Sequence, residues 1–299
     1  MERAPGRQTR RRDIATAYLL LSPAVLLLLT VLAYPVAWET WASLTSFSPL
    51  QDGGTAFVGL ANYRTLLTTP AFWWAATVTV GYAVITSTAK VLLGLGFALL
   101  LARPFRGRAW VFLIIFLPWA YPASVSVIGW YWMLNPPVAT AYAVSLGRVK
   151  YAVDSLLGGG AWAFASVILF NIWRGSSFIG VLLLAAINAI PPELFESGRL
   201  ETTSAWRRFR LVTMPLLKPF LALATFLSLT SAFGDLANVW MLTGGRIVFP
   251  VIGTTAYWLA IMAGQFGPGS ALSLTLVPLL VGVLLVLFRL FDPPSRDTA

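Results

Sequence analysis

The sequence predicts an all-α integral membrane protein with six transmembrane helices and both termini in the cytoplasm. Of its 299 residues, 58% are hydrophobic and 11% charged, and the mean hydropathy of +0.78 is well above that of a soluble domain. Six apolar runs reach the ~20 residues that one bilayer crossing needs. They lie at roughly 16–38, 72–102, 110–134, 161–189, 216–242 and 270–291. The basic residues are lopsided as well. With the N-terminus inside, only Arg64, Arg148, Lys150 and Arg246 fall in outside loops; Lys90 and Arg174 sit within spans, and the others lie inside. That split sets the orientation and calls for an even number of spans.

Unpaired backbone groups are costly in lipid, so runs of this length must be helical; barrel strands alternate and cross in about 10 residues. Residues 1–15 form a basic cytoplasmic segment, with Arg10-Arg11-Arg12 as an inside anchor. The first run exits through Tyr34-Pro35-Val36-Ala37-Trp38 without a small-residue cleavage pattern, so it is expected to stay as an uncleaved span. The outside loop at about 44–71 contains Gly53-Gly54 and Phe57-Val58-Gly59-Leu60-Ala61-Asn62-Tyr63. Pro118 and Pro122 fall inside the third run and should kink it. After the fifth run, Gly244-Gly245 reads as a turn at a membrane exit. No internal repeat appears, and 1–299 reads as a single membrane domain. The net charge of +10 is explained by basic flanks meeting anionic headgroups and requires no nucleic acid.

There is no cysteine and no histidine, which removes disulfides, thiol nucleophiles, Cys/His metal sites and Ser-His-Asp chemistry. Only Asp235 and Glu39, of 11 acidic residues, lie in apolar surroundings, so no pair of carboxylates converges. No phosphate loop of the G-x-x-x-x-G-K-[ST] type is present. The chain reads as neither an enzyme nor an ATP-binding subunit.

The most charged internal segment is Ile190 to Pro219, IPPELFESGRLETTSAWRRFRLVTMPLLKP, set between two apolar runs. Pro191-Pro192 suits a helix start, and Glu193 to Thr203 reads as a short helix with Leu194, Phe195, Gly198 and Leu200 as its apolar contacts. A piece this short needs a surface to dock on. The segment resembles the cytoplasmic "EAA" coupling loop (190–215 here) of permease subunits in binding-protein-dependent ABC importers. Glu196, Ser197 and Gly198 match the E-A-A positions, and Met214-Pro215-Leu216-Leu217-Lys218-Pro219 matches the loop's exit. Glu201 stands where the family usually has Asp, and Thr202 replaces its usual glycine. Gly59-Leu60-Ala61-Asn62-Tyr63, Ile172-Trp173-Arg174-Gly175 and Leu242-Thr243-Gly244-Gly245 extend the likeness to sugar-type permeases over nearly the whole chain.

That resemblance implies the type I importer permease fold and a multi-pass location in the cell membrane. It implies a second homologous permease, two ATPase subunits holding ATP and Mg, and an extracytoplasmic solute-binding protein. No cofactor is implied for this chain. ATPase coupling falls to Glu193, Glu196, Ser197, Gly198, Glu201 and Thr202, with Glu196 as the charged anchor. Thr202 implies either a different turn or a helix continuing into Ser204-Ala205-Trp206.

Polar groups at membrane depth usually face a cavity or a partner helix. The fourth run carries Asn171, Trp173, Arg174, Ser176 and Ser177; the fifth carries Ser231, Asp235 and Asn238 at a helical spacing of four and three. Arg174 and Ser231 each stand 16 residues, about 24 Å, from the cytoplasmic ends of their runs. In the resembling maltose-type permeases polar residues of these two spans line the sugar site, and the resemblance thus implies Asn171, Trp173, Arg174, Ser177, Ser231, Asp235 and Asn238 as the candidate substrate pathway, for a di- or oligosaccharide or a glycerol-phosphate-like solute. An Arg174–Asp235 staple between two spans explains part of the set equally well, and small polar residues are common packing glue. An ion-gradient-driven secondary transporter using Asp235 and Arg174 is the alternative function; six spans and no inverted repeat fit it less well.

Overall fold

The computed structural model describes residues 7–50, 54–134, 160–191, 193–196 and 204–291. Five helices in it are long and apolar enough to cross a bilayer, and the number is six when a pair bent at a short break is counted as one span. Counted so, the spans agree with the six expected, and the prolines of the third do more than kink it. Arg108–Ala120 and Ala123–Leu134 meet at 92°, with Tyr121 extended (φ −76°, ψ 146°) ahead of Pro122. Proline restricts the preceding residue to extended backbone and offers no amide of its own, so the break falls there.

The second span, Pro70–Leu101, and the fourth, Gly160–Asn188, are unbroken and pack along each other. Glycine permits that approach. A Cβ on Gly94 would stand 2.7 Å from Ile179 Cγ2, and one on Gly180 3.2 Å from Phe97 Cβ. Small residues at such crossings bring backbones close enough for dispersion contacts to accumulate, in a solvent that supplies no hydrophobic drive. An inner core gathers here, with Ile179, Leu183, Leu217 and Ala224 buried together. The outer core is built around Tyr82, Phe170, Phe233 and Phe249.

The first span differs. It runs from Arg7–Leu28 through a π-helical turn at Leu29–Ala33 into Tyr34–Ser43, and its apolar window is not buried against the rest of the chain. Only its outer end is tied down. Asn62 Nδ2 donates to the carbonyls of Ser43 (2.8 Å) and Thr45 (2.9 Å), and Tyr63 Oη to Ser43 Oγ. Gly59 (φ +56°) makes the turn that delivers them, and Gly267 N donates to Phe47 O from the sixth span. The Gly59-to-Tyr63 motif therefore clasps the outer ends of the first and sixth spans, and its last residues lie on a short helix, Ala61–Thr68, inside the expected outside loop.

The fifth run is not one helix to 242. Ala205–Arg208 leads through a π-helical turn into Met214–Phe233, which stops at Gly234 and Asp235 before Leu236–Leu242 resumes. A further helical segment, Ile252–Tyr257 continuing to Met262, packs beside Phe266–Leu274 of the sixth span, and Leu276–Phe291 completes that span.

Gly94→Leu should disrupt the closest crossing and cost about 1–3 kcal/mol, read as a lower unfolding midpoint in detergent. Gly96→Leu, where a Cβ meets nothing within 4 Å, should leave that midpoint unchanged.

Candidate functional site: a buried polar cluster at two helix breaks

Asp235 occupies the break of the fifth span in a non-helical conformation (φ −80°, ψ 53°) and is only 7% exposed. A carboxylate at membrane depth requires donors, and three arrive. Tyr82 Oη (2.6 Å) and Asn171 Nδ2 (2.7 Å) donate to Oδ2, and Asn238 Nδ2 (2.6 Å) donates to Oδ1. They come from the second span, the fourth span and the helix beyond the break. Lys90, two turns inward from Tyr82 and 2% exposed, lies within electrostatic reach of the same carboxylate. Its methylenes cross the fourth span at Gly175, where a Cβ would collide with Lys90 Cδ. That is a packing reason for the glycine after Arg174.

Arg174 turns to the other break. Its Nη2 donates to the carbonyl of Tyr121 (3.4 Å), the residue at which the third span bends. Helix interruption leaves that carbonyl without its usual amide partner. Arg174 is not ion-paired with Asp235; the two residues face different breaks. Asn171 and Arg174 are three residues apart on one face of the unbroken fourth span, so both breaks converge on that face. Two polar atoms there are unsatisfied: Asn171 Oδ1 and Arg174 Nε are buried without a hydrogen-bond partner. An aromatic cluster lies on another face of the same helix. Trp173, 40% exposed, sits 5.5 Å from Trp130 and 6.2 Å from Phe170 between ring centroids.

Asn171, Asp235 and Asn238 thus meet, with Arg174 one turn along the same face; Trp173 is not brought to them and packs on Trp130 and Phe170. Ser177 is buried and donates back to Trp173 O at 3.5 Å, as Ser176 does at 3.3 Å. Ser231 is exposed within Met214–Phe233, and the break at Gly234 takes Asp235 off the helical face that the two would share in a continuous helix. Tyr82 was invisible in the sequence: one tyrosine in an apolar run carries no signal until its carboxylate partner is placed.

At the end of the bundle that carries residues 193–196 and 205–213, a groove of about 750 Å³ opens between the exits of the second and fourth spans and the start of the fifth. Arg103, Phe195, Glu196, Trp206 and Phe209 are among its lining residues. Residues 193–196 are helical, with Glu193 and Glu196 exposed and Phe195 packed on the inner core; Leu194, expected beside Phe195, is 41% exposed. Ser204 is extended (ψ 119°) and caps Arg207 N through Oγ, so a new helix starts at Ala205 and the preceding one does not run through Ser204. Ser197, Gly198, Glu201 and Thr202 lie outside the described residues.

Two interrupted helices around a polar mid-membrane cluster, in a polytopic chain without a nucleotide-binding motif, define a membrane transport subunit. The comparisons make this specific. Residues 90–296 match the family described as "Binding-protein-dependent transport system inner membrane component", and the chain belongs to that family. It is similar to the trehalose transport system permease protein of Mycobacterium tuberculosis (29% identity, 97% of this chain and 92% of that one). It is also similar to the trehalose/maltose transport system permease protein of Thermococcus litoralis (30%; 93% and 94%). The sulfoquinovosyl glycerol transport system permease protein of Agrobacterium fabrum is 31% identical over 97% of this chain and 95% of that one. Among solved structures, a bacterial ABC transporter that imports the acidic polysaccharide alginate matches with a TM-score of 0.76 at 18% identity, over 97% of this chain and 99% of that one. The fold is that of the type I ABC importer permeases, and the protein is a multi-pass component of the cell membrane.

Asp235→Leu should strand three donors at about 1–3 kcal/mol each and lower the unfolding midpoint sharply. Asp235→Asn keeps a carbonyl oxygen for Tyr82 or Asn171 and should fall between Asp235→Leu and the parent in the same melt.

Proposed function

We propose that this chain forms half of the translocation pathway of an ATP-driven importer for a carbohydrate: a di- or oligosaccharide, or a glycerol-phosphate-like solute. The observation that carries the reading is the cluster at the two breaks. Asn171 and Arg174 each hold a buried polar atom without a partner on one face of the fourth span, and Trp173 of the same helix presents an exposed ring. Sugars are bound by this mixture, with polar groups for hydroxyls and an aromatic face for the C–H side of a ring. The named relatives support the substrate class, since their transport systems handle trehalose, maltose and a sulfoquinovosyl glycerol.

In this reading a second homologous permease completes the pathway, and two cytoplasmic ATPase subunits hold ATP and Mg. A solute-binding protein delivers the sugar on the extracytoplasmic side. Support for that last partner comes from the family's description and from the alginate transporter, one of whose structures contains a pentasaccharide-bound periplasmic protein. Both termini lie in the cytoplasm. The 193–204 segment is the handle gripped by an ATPase, with Glu193, Glu196, Ser197, Gly198, Glu201 and Thr202 on it. Glu196, exposed at the groove's edge, pairs with a basic group of that subunit.

The test is uptake by proteoliposomes containing the full assembly, with the cognate binding protein outside and a panel of labelled trehalose, maltose and glycerol phosphate. ATP-dependent uptake of one panel member, reduced about tenfold or more by Asn171→Ala or Trp173→Ala through loss of one or two substrate contacts, is the expected result. Uptake driven by an ion gradient without the ATPase would overturn it. Separately, Glu196→Lys should reduce co-purification of the ATPase while leaving the amount of chain in the membrane unchanged.

A further inference from the structure

A second cavity, of about 280 Å³, lies between the first span, the break of the fifth and the paired helices near the sixth. Glu39, Gly234, Tyr257, Ser270, Ser273 and Leu276 are among its lining residues. It belongs neither to the Asp235 cluster nor to the groove beside Glu196. Glu39 is half-buried one helical turn from the end of the first span, a membrane helix otherwise free of acidic residues along its apolar length. No hydrogen bond or ion pair joins it to another described residue.

Ser270 adds an independent observation. It is 6% exposed and lines the cavity, yet its hydroxyl has no hydrogen-bond partner among the described residues. A buried helical hydroxyl commonly returns its proton to a carbonyl three or four residues back, as Thr225, Thr243 and Thr275 do here. Ser273 lines the same wall and likewise has no partner among the described residues. The floor is the C-terminal end of Met214–Phe233, where Phe233 and Gly234 bring the negative end of a 20-residue helix to the cavity. The cavity also receives the first turns of the helices that start at Leu236, Ile252 and Phe266, through Leu236, Gly253 and Gly269, so the helix dipoles there offset one another. No lysine or arginine lines the cavity, and Tyr257 is its only titratable group besides Glu39.

With helix ends of both signs at the cavity, the Glu39 carboxylate sets its charge, and the two unpaired hydroxyls of Ser270 and Ser273 supply oxygen ligands beside it. We propose that this cavity is a hydrated binding site for a monovalent cation, either an alkali ion or a small alkylammonium group. Its volume, at ~30 Å³ per water in the liquid, holds such an ion together with several waters. The site stands on its own residues and does not depend on the carbohydrate reading.

The chain contains no cysteine, so Ser273→Cys provides its only thiol. In the full assembly in nanodiscs, where both faces are open, that thiol is reacted with a trimethylammonium and with a sulfonate methanethiosulfonate reagent. Adding Glu39→Gln is expected to lower the cationic-to-anionic rate ratio about tenfold, the effect of one nearby charge in a partly hydrated site. Ala260→Cys, also on the cavity wall, provides a second position should the first variant assemble poorly. Competition with equimolar tetramethylammonium or potassium chloride separates the two sources, the stronger inhibitor identifying which cation the site prefers. A rate ratio indifferent to Glu39→Gln overturns the proposal. So does inhibition by the two salts that persists in Glu39→Gln, which is ionic screening alone, or a lack of reaction with either reagent at both positions, which means protein or lipid fills the cavity.

Discussion

One carboxylate that cannot be hydrated in the ordinary way organises the outer half of this protein. Asp235 only accepts hydrogen bonds when ionised, so every neighbour that stabilises it must bring a donor. Tyr82, Asn171 and Asn238 do so from three different elements. Satisfying that one group fixes the register of the second span against the fourth and holds the two parts of the fifth at a defined break. Lys90 adds positive charge from a position it can reach only because Gly175 leaves room for its methylenes. A charge buried in this way is a poor source of net stability but a strong source of uniqueness, since shifted packings would leave it unpaired.

The second organising fact is that both broken spans present their loose ends to one face of an unbroken helix. Interrupting a helix in lipid frees backbone groups that need partners, and is tolerated where protein or a polar cavity supplies them. Arg174 meets the carbonyl freed at Tyr121, and Asn171 meets the side chain at the other break. The chain thereby concentrates backbone and side-chain polarity at one depth without exposing it to hydrocarbon. An uninterrupted bundle of the same composition would have only side chains to offer a polar solute.

Much of this arrangement is legible in the sequence, and what is not has definite causes. Apolar run length sets the existence of the spans, because lipid leaves a helix as the only outcome for such a run. Pro118 and Pro122 announce a bend in the third, though not its 92° angle, which depends on where the second half finds packing. The break at Asp235 is hidden. Gly234 is a weak interruption on its own, and the spacing of Ser231, Asp235 and Asn238 imitates a continuous helical face. Asp235 takes its partners across the bundle, at sequence separations of 153 and 64 residues, which no local pattern encodes. The Glu196 segment is the reverse case. Fixed spacings around it reveal a family at once, while Leu194, expected to be covered, is exposed on this chain alone.

The positions of the groove and the polar cluster bear on how movement passes between them. Leu99 of the second span and Ala102 at its end line the groove beside Glu196, and Tyr82 of the same helix donates to Asp235. Ile187 and Asn188 of the fourth span line the groove, and Asn171 of that helix donates to the same carboxylate. In both cases 16 or 17 residues of continuous helix separate the two ends, about 24–26 Å. These two spans are also the pair locked together at Gly94 and Gly180, so they act as one rigid body. The third and fifth spans are interrupted at the level of the cluster. If an ATPase moves the groove as proposed, the displacement would travel along the paired helices toward Asp235 and Arg174, and the helix breaks at Tyr121 and Gly234 are where the bundle bends at least cost. In that proposed cycle the breaks would serve two purposes, supplying polarity for a solute and providing the hinges about which access to it changes.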